Sequence, residues 1–102
     1  MVEVTPLEIS EFLDSEETIA EYLRLAAEDS NPDVFLSALG DVARARGMTV
    51  LAQKAGLGRE SLYKALMPGG NPTYTTLRKV MNALDVKLQV APVHSIQTVA
   101  DQ

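Results

Sequence analysis

A short stretch of the sequence carries side chains suited to hydrogen bonding with nucleic-acid bases. Arg59, Glu60, Ser61 and Lys64 lie close together in a pattern that predicts a short helix. Arginine offers two parallel N–H donors to guanine O6 and N7, glutamate accepts from cytosine N4, and serine can donate or accept. Such side chains reach base edges when the start of their helix enters the major groove. The segment therefore predicts recognition of double-stranded DNA.

The element that positions these side chains is predicted to be a helix-turn-helix over residues 48–66. Ala52 is the small residue that the crossing of the two helices requires, and Gly56 tolerates the left-handed backbone of the turn. Apolar residues occupy the flanks of the turn and the inner face of the second helix: Leu51, Ala55, Leu57, Leu62 and Ala65. An ordinary helical corner remains the alternative, although few such corners combine all of these features.

Further polar residues extend the predicted DNA interface. Thr49, expected to cap the first motif helix, would contact phosphate together with the backbone amides that follow it. The other candidates lie on the second helix or in the loop after it: Tyr63, Asn71, Thr73 and Tyr74. The alternative for each is a solvated surface residue, and Tyr63 can also be interpreted as covering the edge of the core.

Hydrophobic periodicity predicts a mainly α fold, a five-helix bundle with a lambda-repressor-like helix-turn-helix. The first helix is predicted from Asp14 or Ser15 to Glu28, with a capping box of Asp14 and Glu17, and the second over Pro32–Arg46, with Asn31 as its cap. The other three are predicted over Val50–Ala55, over Arg59–Leu66, and from Thr75 or Thr76 to Leu84. One domain over 14–91 is expected, between an irregular arm, 1–13, and a flexible tail, 92–102.

A short C-terminal β-strand is predicted over 87–91, because apolar and polar residues alternate there. No second strand is predicted, so this one would pair with its copy in a homodimer or with another protein. A two-fold dimer would place two recognition helices one DNA turn apart, roughly 34–36 Å. The expected dimer residues are Lys87, Leu88, Gln89 and Val90.

The charges of this 102-residue chain are strongly polarised along the sequence, although the net charge is only −5. Residues 1–33 hold ten acids and one base, whereas residues 44–87 hold eight bases and two acids. A basic region favours a phosphate partner, and an acidic region favours a basic protein. Both regions can also be interpreted as ordinary solvated helix faces.

The composition argues against several other classes of protein. The chain has no cysteine, which excludes disulfides and thiolate metal sites and suits a reducing compartment. His94 is the only histidine, and no metal-ligand spacing, phosphate-binding loop or dinucleotide motif occurs. No apolar run is long enough to span a membrane, and we do not expect the N-terminus to be a signal peptide, because it lacks a basic stretch followed by an apolar one. We expect a cytoplasmic protein that is not an enzyme and uses no cofactor or metal.

Three runs of the sequence resemble the HigA-like addiction module antidote proteins, antitoxins of the Xre-type helix-turn-helix class. The runs are Leu39–Met48, Ala55–Leu66 and Gly70–Thr73, of which Gly58–Leu66 is the most specific. With Phe12–Asp14 and Ile19–Leu23, the resemblance covers roughly residues 10–91. Many members have serine at the position of Gly58, where serine would cap the helix better.

The resemblance implies an antitoxin that represses its own operon and neutralises a RelE/ParE-like toxin, commonly a small basic ribonuclease. The acidic region 1–33 fits such a partner on independent grounds, because opposite charges speed encounter. We expect the toxin to be faced by Asp14, Glu16, Glu17 and Glu21, with the strand 87–91 as the rival surface. An orphan phage-type repressor and a protein-interaction module that does not bind DNA remain open alternatives.

Overall fold

The computed structural model describes residues 14–93, and these form five helices in a mainly α arrangement. In chain order they are α1 (Glu16–Ala27), α2 (Pro32–Arg46), α3 (Met48–Ala55), α4 (Arg59–Ala65) and α5 (Tyr74–Ala83). The prediction of a mainly helical fold with five helices is confirmed. The expectations of an irregular arm over 1–13 and of a flexible tail beyond residue 93 lie outside the described residues.

The first two helices begin at capping residues. Ser15 Oγ accepts from the Thr18 backbone N–H at 3.2 Å, and Thr18 Oγ1 accepts from the Ser15 N–H at 3.4 Å. This capping box replaces the predicted Asp14–Glu17 box, which is wrong because Asp14 precedes the cap residue by one position. The prediction for α2 is confirmed, since Asn31 Oδ1 accepts from a backbone N–H at 3.0 Å and proline follows it.

Two other helix starts differ from the sequence prediction. Gly47, at φ 97°, ends α2 and is immediately followed by α3, so Thr49 is the second residue of that helix and not its cap. The last helix begins at Tyr74 because Thr73 Oγ1 accepts from the Thr76 N–H at 3.1 Å. This hydroxyl satisfies a backbone donor that a later start would have left without a partner.

One hydrophobic core receives side chains from all five helices. Its fully buried large residues are Ile19, Leu39, Val42, Leu62 and Val80. Among residues 14–93, no polar or charged side chain is buried. The fold is therefore held together mainly by apolar contact, and the short helix α4 takes part in it through Leu62.

The predicted strand over 87–91 does not form in the single chain. Helix α5 ends at Ala83, Asp85 follows in left-handed backbone with φ of 62°, and the Val86 N–H donates to Met81 O at 3.1 Å. Beyond that bond, residues 86–91 are irregular, and no other strand lies in the described part of the chain to pair with them. The expected dimer residues stay exposed in this segment: Lys87, Leu88, Gln89 and Val90.

Candidate functional site

The turn between α3 and α4 has the backbone that the sequence predicted. Gly56 adopts φ 72° and ψ 33°, and its N–H donates to Gln53 O at 3.2 Å. The next N–H, that of Leu57, donates to Ala52 O at 2.9 Å. These two bonds form a Schellman motif, which ends α3 sharply and turns the chain into α4. Ala52 is 3% exposed at this point, in agreement with the small residue expected there.

Helix α4 presents most of its residues to solvent. Leu62, with no exposed surface, and Leu66, 3% exposed, attach the helix to the core. Tyr63 is 53% exposed, so its ring is not simply a cover for the core edge. The residues predicted to read DNA all lie on the outer side of this one helix: Arg59, Glu60, Ser61, Tyr63 and Lys64.

The basic side chains of α4 are available to a ligand. Neither Arg59 nor Lys64 forms an ion pair with a side chain of residues 14–93. By contrast, Arg44 donates to Asp41 Oδ1 at 2.7 Å, and Arg46 donates to the backbone oxygen of Asp14 at 3.5 Å. The basic half of the chain is thus divided between cations with internal partners and cations that face solvent.

The loop after α4 is fixed at both of its glycines, by a hydrogen bond at the first and by close packing at the second. The Gly69 N–H donates to Asp33 Oδ1 at 3.0 Å, which ties the loop to the start of α2. A Cβ on Gly70 would lie 2.7 Å from Ala65 O and 2.8 Å from Lys64 O. Only glycine fits against the end of α4 at this distance, so the loop follows a defined path to α5.

The predicted phosphate contacts occupy different environments. Asn71 and Thr49 are exposed, whereas Thr73 uses its hydroxyl within the protein, accepting from the Thr76 N–H and donating to Thr76 Oγ1 at 3.1 Å. Tyr74 belongs to the first turn of α5 and not to the loop, and it is 63% exposed. Of these four residues, Thr73 is therefore the least available to an external ligand.

Sequence reasoning missed Arg78 as a candidate site residue. Its guanidinium carbon lies 5.8 Å from the centroid of the Tyr74 ring, a cation–π geometry on the exposed side of α5. The sequence contained a signal for this contact, because residues four positions apart lie on one face of a helix. It was missed because the helix was expected to begin after Tyr74. Arg78 and Tyr74 together add an exposed cation and a hydroxyl next to the loop that follows α4.

Helix α1 carries the acids predicted to face a toxin, and they are not equivalent. Glu16 and Glu17 are exposed in its first turn. Glu21 instead accepts from Arg24 at 2.7 Å, and this hydrogen bond lowers the pKa of the Glu21 carboxyl. Arg24 also pairs with Glu28 at 3.1 Å. Asp14 lies just before the helix, where its backbone oxygen accepts from α2.

The structure brings two regions together that the sequence analysis treated as rivals. Helix α1 and residues 85–89 line one open groove of about 780 Å³. Glu16 and Glu17 lie on the α1 side, and Lys87, Leu88 and Gln89 lie on the other. Glu21 and Val90 are not part of its lining. The acidic helix and the C-terminal segment thus form a single surface.

Residues 14–93 hold neither a candidate metal site nor a candidate membrane span. No group of histidine, cysteine, aspartate and glutamate side chains in this range could hold a metal ion. In the same range, no helix is both long and apolar enough to cross a bilayer.

Comparison with known proteins gives the family context of this geometry. Residues 3–92 match a family model described as probable addiction module antidote protein. An uncharacterized protein of Haemophilus influenzae is 51% identical over 83 residues, covering 81% of this chain and 86% of that protein. No solved structure matches the chain significantly. The matched range includes the whole of α1 to α5 and the groove.

Proposed function

The chain belongs to the family of probable addiction module antidote proteins, and from this we propose that it is an antitoxin that also represses its own operon. In this proposal α3 and α4 form an Xre-type, lambda-repressor-like helix-turn-helix that binds operator DNA. The observation that carries it is the outer surface of α4, where two cations without described ion-pair partners lie beside further hydrogen-bonding side chains. We expect no catalysis by this chain.

Recognition of DNA would begin at the first turn of α4. With this turn in the major groove, Arg59 would donate to guanine O6 and N7, and Glu60 would accept from cytosine N4. Ser61 would donate to or accept from a neighbouring base edge. Tyr63 and Lys64, one turn later, would reach the groove wall and the phosphates. The burial of Leu62 holds the helix that carries these side chains against the core.

Phosphate contacts on either side of α4 would set the position of the protein on the duplex. Thr49 would serve on α3, and Asn71 in the loop. At the N-terminus of α5, the first backbone N–H groups can bind a phosphate oxygen, apart from that of Thr76, which Thr73 already caps. Tyr74 and Arg78 would strengthen this contact, whereas the hydroxyl of Thr73 is already engaged in capping.

The proposal includes a two-fold dimer. One module of this size makes few contacts, and a dimer doubles them by engaging two half-sites of an operator. Residues 87–90 have the alternating composition of a strand, and no backbone hydrogen bonds are formed by them within the described part of the chain. Pairing with the same residues of a second copy would complete a two-stranded ladder. Such a pairing would also satisfy these backbone groups.

The partner that defines an antidote is a toxin, and we propose one of the RelE/ParE-like class. The exposed acids Glu16 and Glu17 support a basic partner, since opposite charges accelerate association and fix orientation. Both operator DNA and such a toxin are cytoplasmic, so we expect the chain to act in the cytoplasm.

The first test is a gel shift with the DNA upstream of the chain's own gene, at two salt concentrations. Arg59→Ala should weaken specific binding by about tenfold or more, because one bidentate base contact is worth about 1–3 kcal/mol. Lys64→Ala should lower the slope of log affinity against log salt concentration by about one, because one phosphate contact is lost. Arg24→Ala is the matched control: it also removes one cation, but on α1, where DNA is not expected.

The outcomes separate this function from its alternatives. Equal losses in Arg59→Ala and Arg24→Ala would point to net charge alone and contradict recognition by α4. An absence of binding by the wild-type chain, even at low salt and with the toxin added, would favour an interaction module without DNA binding. Specific DNA binding without a toxin in the same operon would favour an orphan repressor.

A further inference from the structure

We propose that the groove between α1 and residues 85–89 is where the antitoxin binds its toxin, and that it takes a basic amphipathic segment of that protein. The inference rests on the proposed antitoxin function and names the surface that performs it. It joins the two regions that sequence analysis kept apart, the acidic helix and the C-terminal segment.

The shape of the groove provides an apolar floor. Of its lining residues, Leu23 and Met81 are buried and Phe35 is partly buried, so they supply the apolar floor, while Ala20 and Ala27 of α1 and Leu88 are exposed at its sides. Leu88 is 42% exposed, so an apolar surface remains open to solvent on that side. At about 780 Å³ the groove is large enough for several side chains of a partner segment. Their burial against this floor would supply the affinity.

The charges around the floor determine which kind of segment fits. Glu16 and Glu17 occupy the α1 rim, and Asp85 lies at the far side. Arg24 also lines the groove, but its guanidinium is already paired with two glutamates of its own helix. Lys87 is thus the one lining cation without an ion-pair partner in the described part of the chain. The rim is net acidic and complements lysine and arginine side chains.

The same charges disfavour other occupants. Residues 1–13 of this chain contain three glutamates and no base, so they would meet like charge at the rim. A second copy that docked by two-fold symmetry would bring the same acidic helix to the groove. Four of the eight bases in residues 44–87 lie on α4 and α5, where the DNA interface is proposed, and are not free to fill the groove.

The decisive variant places a large side chain in the apolar wall. Ala20 is exposed on α1 and lines the groove. Ala20→Arg should therefore fill the groove and repel a basic partner by its positive charge, and arginine is a good helix former that should not unfold α1. We expect at least a hundredfold loss of affinity for the purified toxin of the same addiction module, by calorimetry. The matched control is Leu25→Arg, on the same helix at a 55% exposed position outside the groove, which should bind as the wild type does.

A second pair of variants tests the charge of the rim. Glu17→Gln removes one carboxylate from the groove, and Glu60→Gln removes one from α4, outside the groove and away from its lining cations. We expect association with the toxin to slow about threefold in Glu17→Gln at low salt, and to change less in Glu60→Gln. The difference should disappear at high salt, where exposed charges are screened.

Each outcome bears on either the groove or the function. If the wild type binds the toxin and Ala20→Arg binds it equally well, the groove is not the site, although the antitoxin function stands. If Ala20→Arg changes only the oligomeric state, the groove joins two copies and the inference is overturned. If deletion of residues 1–13 strengthens toxin binding to the wild type but not to Ala20→Arg, that segment competes with the toxin for the groove, which supports the inference. If the wild type does not bind the toxin at all, the proposed antitoxin function itself fails.

Discussion

At the scale of single residues, the most informative polar contact joins α1 to α2. The Tyr22 hydroxyl donates to Asp41 Oδ2 at 2.8 Å, while Arg44 donates to Asp41 Oδ1 at 2.7 Å. Burial, followed by this hydrogen bond, raises the pKa of Tyr22 to about 12. The contact fixes the orientation of the acidic helix on the rest of the fold. It is a long-range polar link at the edge of an apolar core.

Replacing Tyr22 tests this link through its pH dependence. Because the folded state holds the phenol proton more tightly than the unfolded chain, the contribution is complete below about pH 10. It is lost as the pH rises through about 12. Tyr22→Phe should lower the free energy of unfolding by about 1 kcal/mol at pH 7. Urea titrations from pH 7 to 12 should then show the variant and wild type converging in stability. Parallel curves would contradict the raised pKa.

At the scale of elements, the presentation of α4 depends on two glycines that serve different purposes. Gly56 is required for its left-handed backbone, because its φ is 72°. Space is not the reason, since no atom lies within 4 Å of the position that a Cβ would take. Gly70 is required by space, because backbone oxygens of α4 and its C-terminal turn would lie within 3 Å of a Cβ there. One glycine sets how the chain enters α4, and the other sets how it leaves.

The same substitution at two nearby glycines should have opposite effects. Gly56→Ser forces a side chain into left-handed backbone, which costs about 1–2 kcal/mol. Gly58→Ser places a capping hydroxyl at the start of α4, where φ is −69° and ψ is 147°, and should stabilise by roughly a few tenths of a kcal/mol. Thermal melts of the two variants check this. Destabilisation by Gly58→Ser would show that this position does not act as a helix cap.

At the scale of the whole molecule, the two charged regions form two surfaces with separate proposed partners. The acidic α1 borders the groove, and the exposed cations of α4 and α5 lie in the proposed DNA interface. Residues 86–89 line the groove, whereas Val90 lies outside it and is fully exposed to solvent. Val90 is therefore the position at which the proposed dimer can be tested without changing a residue that lines the groove.

The proposed dimer is tested by removing one backbone donor outside the groove. Val90→Pro eliminates an N–H and blocks strand pairing, so it should convert a dimer into a monomer in sedimentation experiments. Operator affinity should fall with it, because one half-site contact is lost. Val90→Thr is the control, since it keeps both the N–H and a β-branched side chain. A dimer that persists in Val90→Pro would place the interface elsewhere.

Local patterns in the sequence were sufficient to predict much of this protein. The five helices, the cap at Asn31 and the left-handed Gly56 follow from periodicity and from the backbone preferences of single residues. The exposed face of α4 follows in the same way, because one buried leucine fixes which side of a short helix faces the core. Each of these features depends on residues only a few positions apart.

Tertiary structure decided what depends on distant parts of the chain. An alternating pattern at 87–91 predicted a strand, but a strand needs a partner, and none is present among residues 14–93. The shared groove of α1 and residues 85–89 arises from the packing of segments about sixty residues apart, which no local pattern encodes. Burial and hydrogen-bond pairing are properties of the assembled chain, and they determine which predicted residues form one surface.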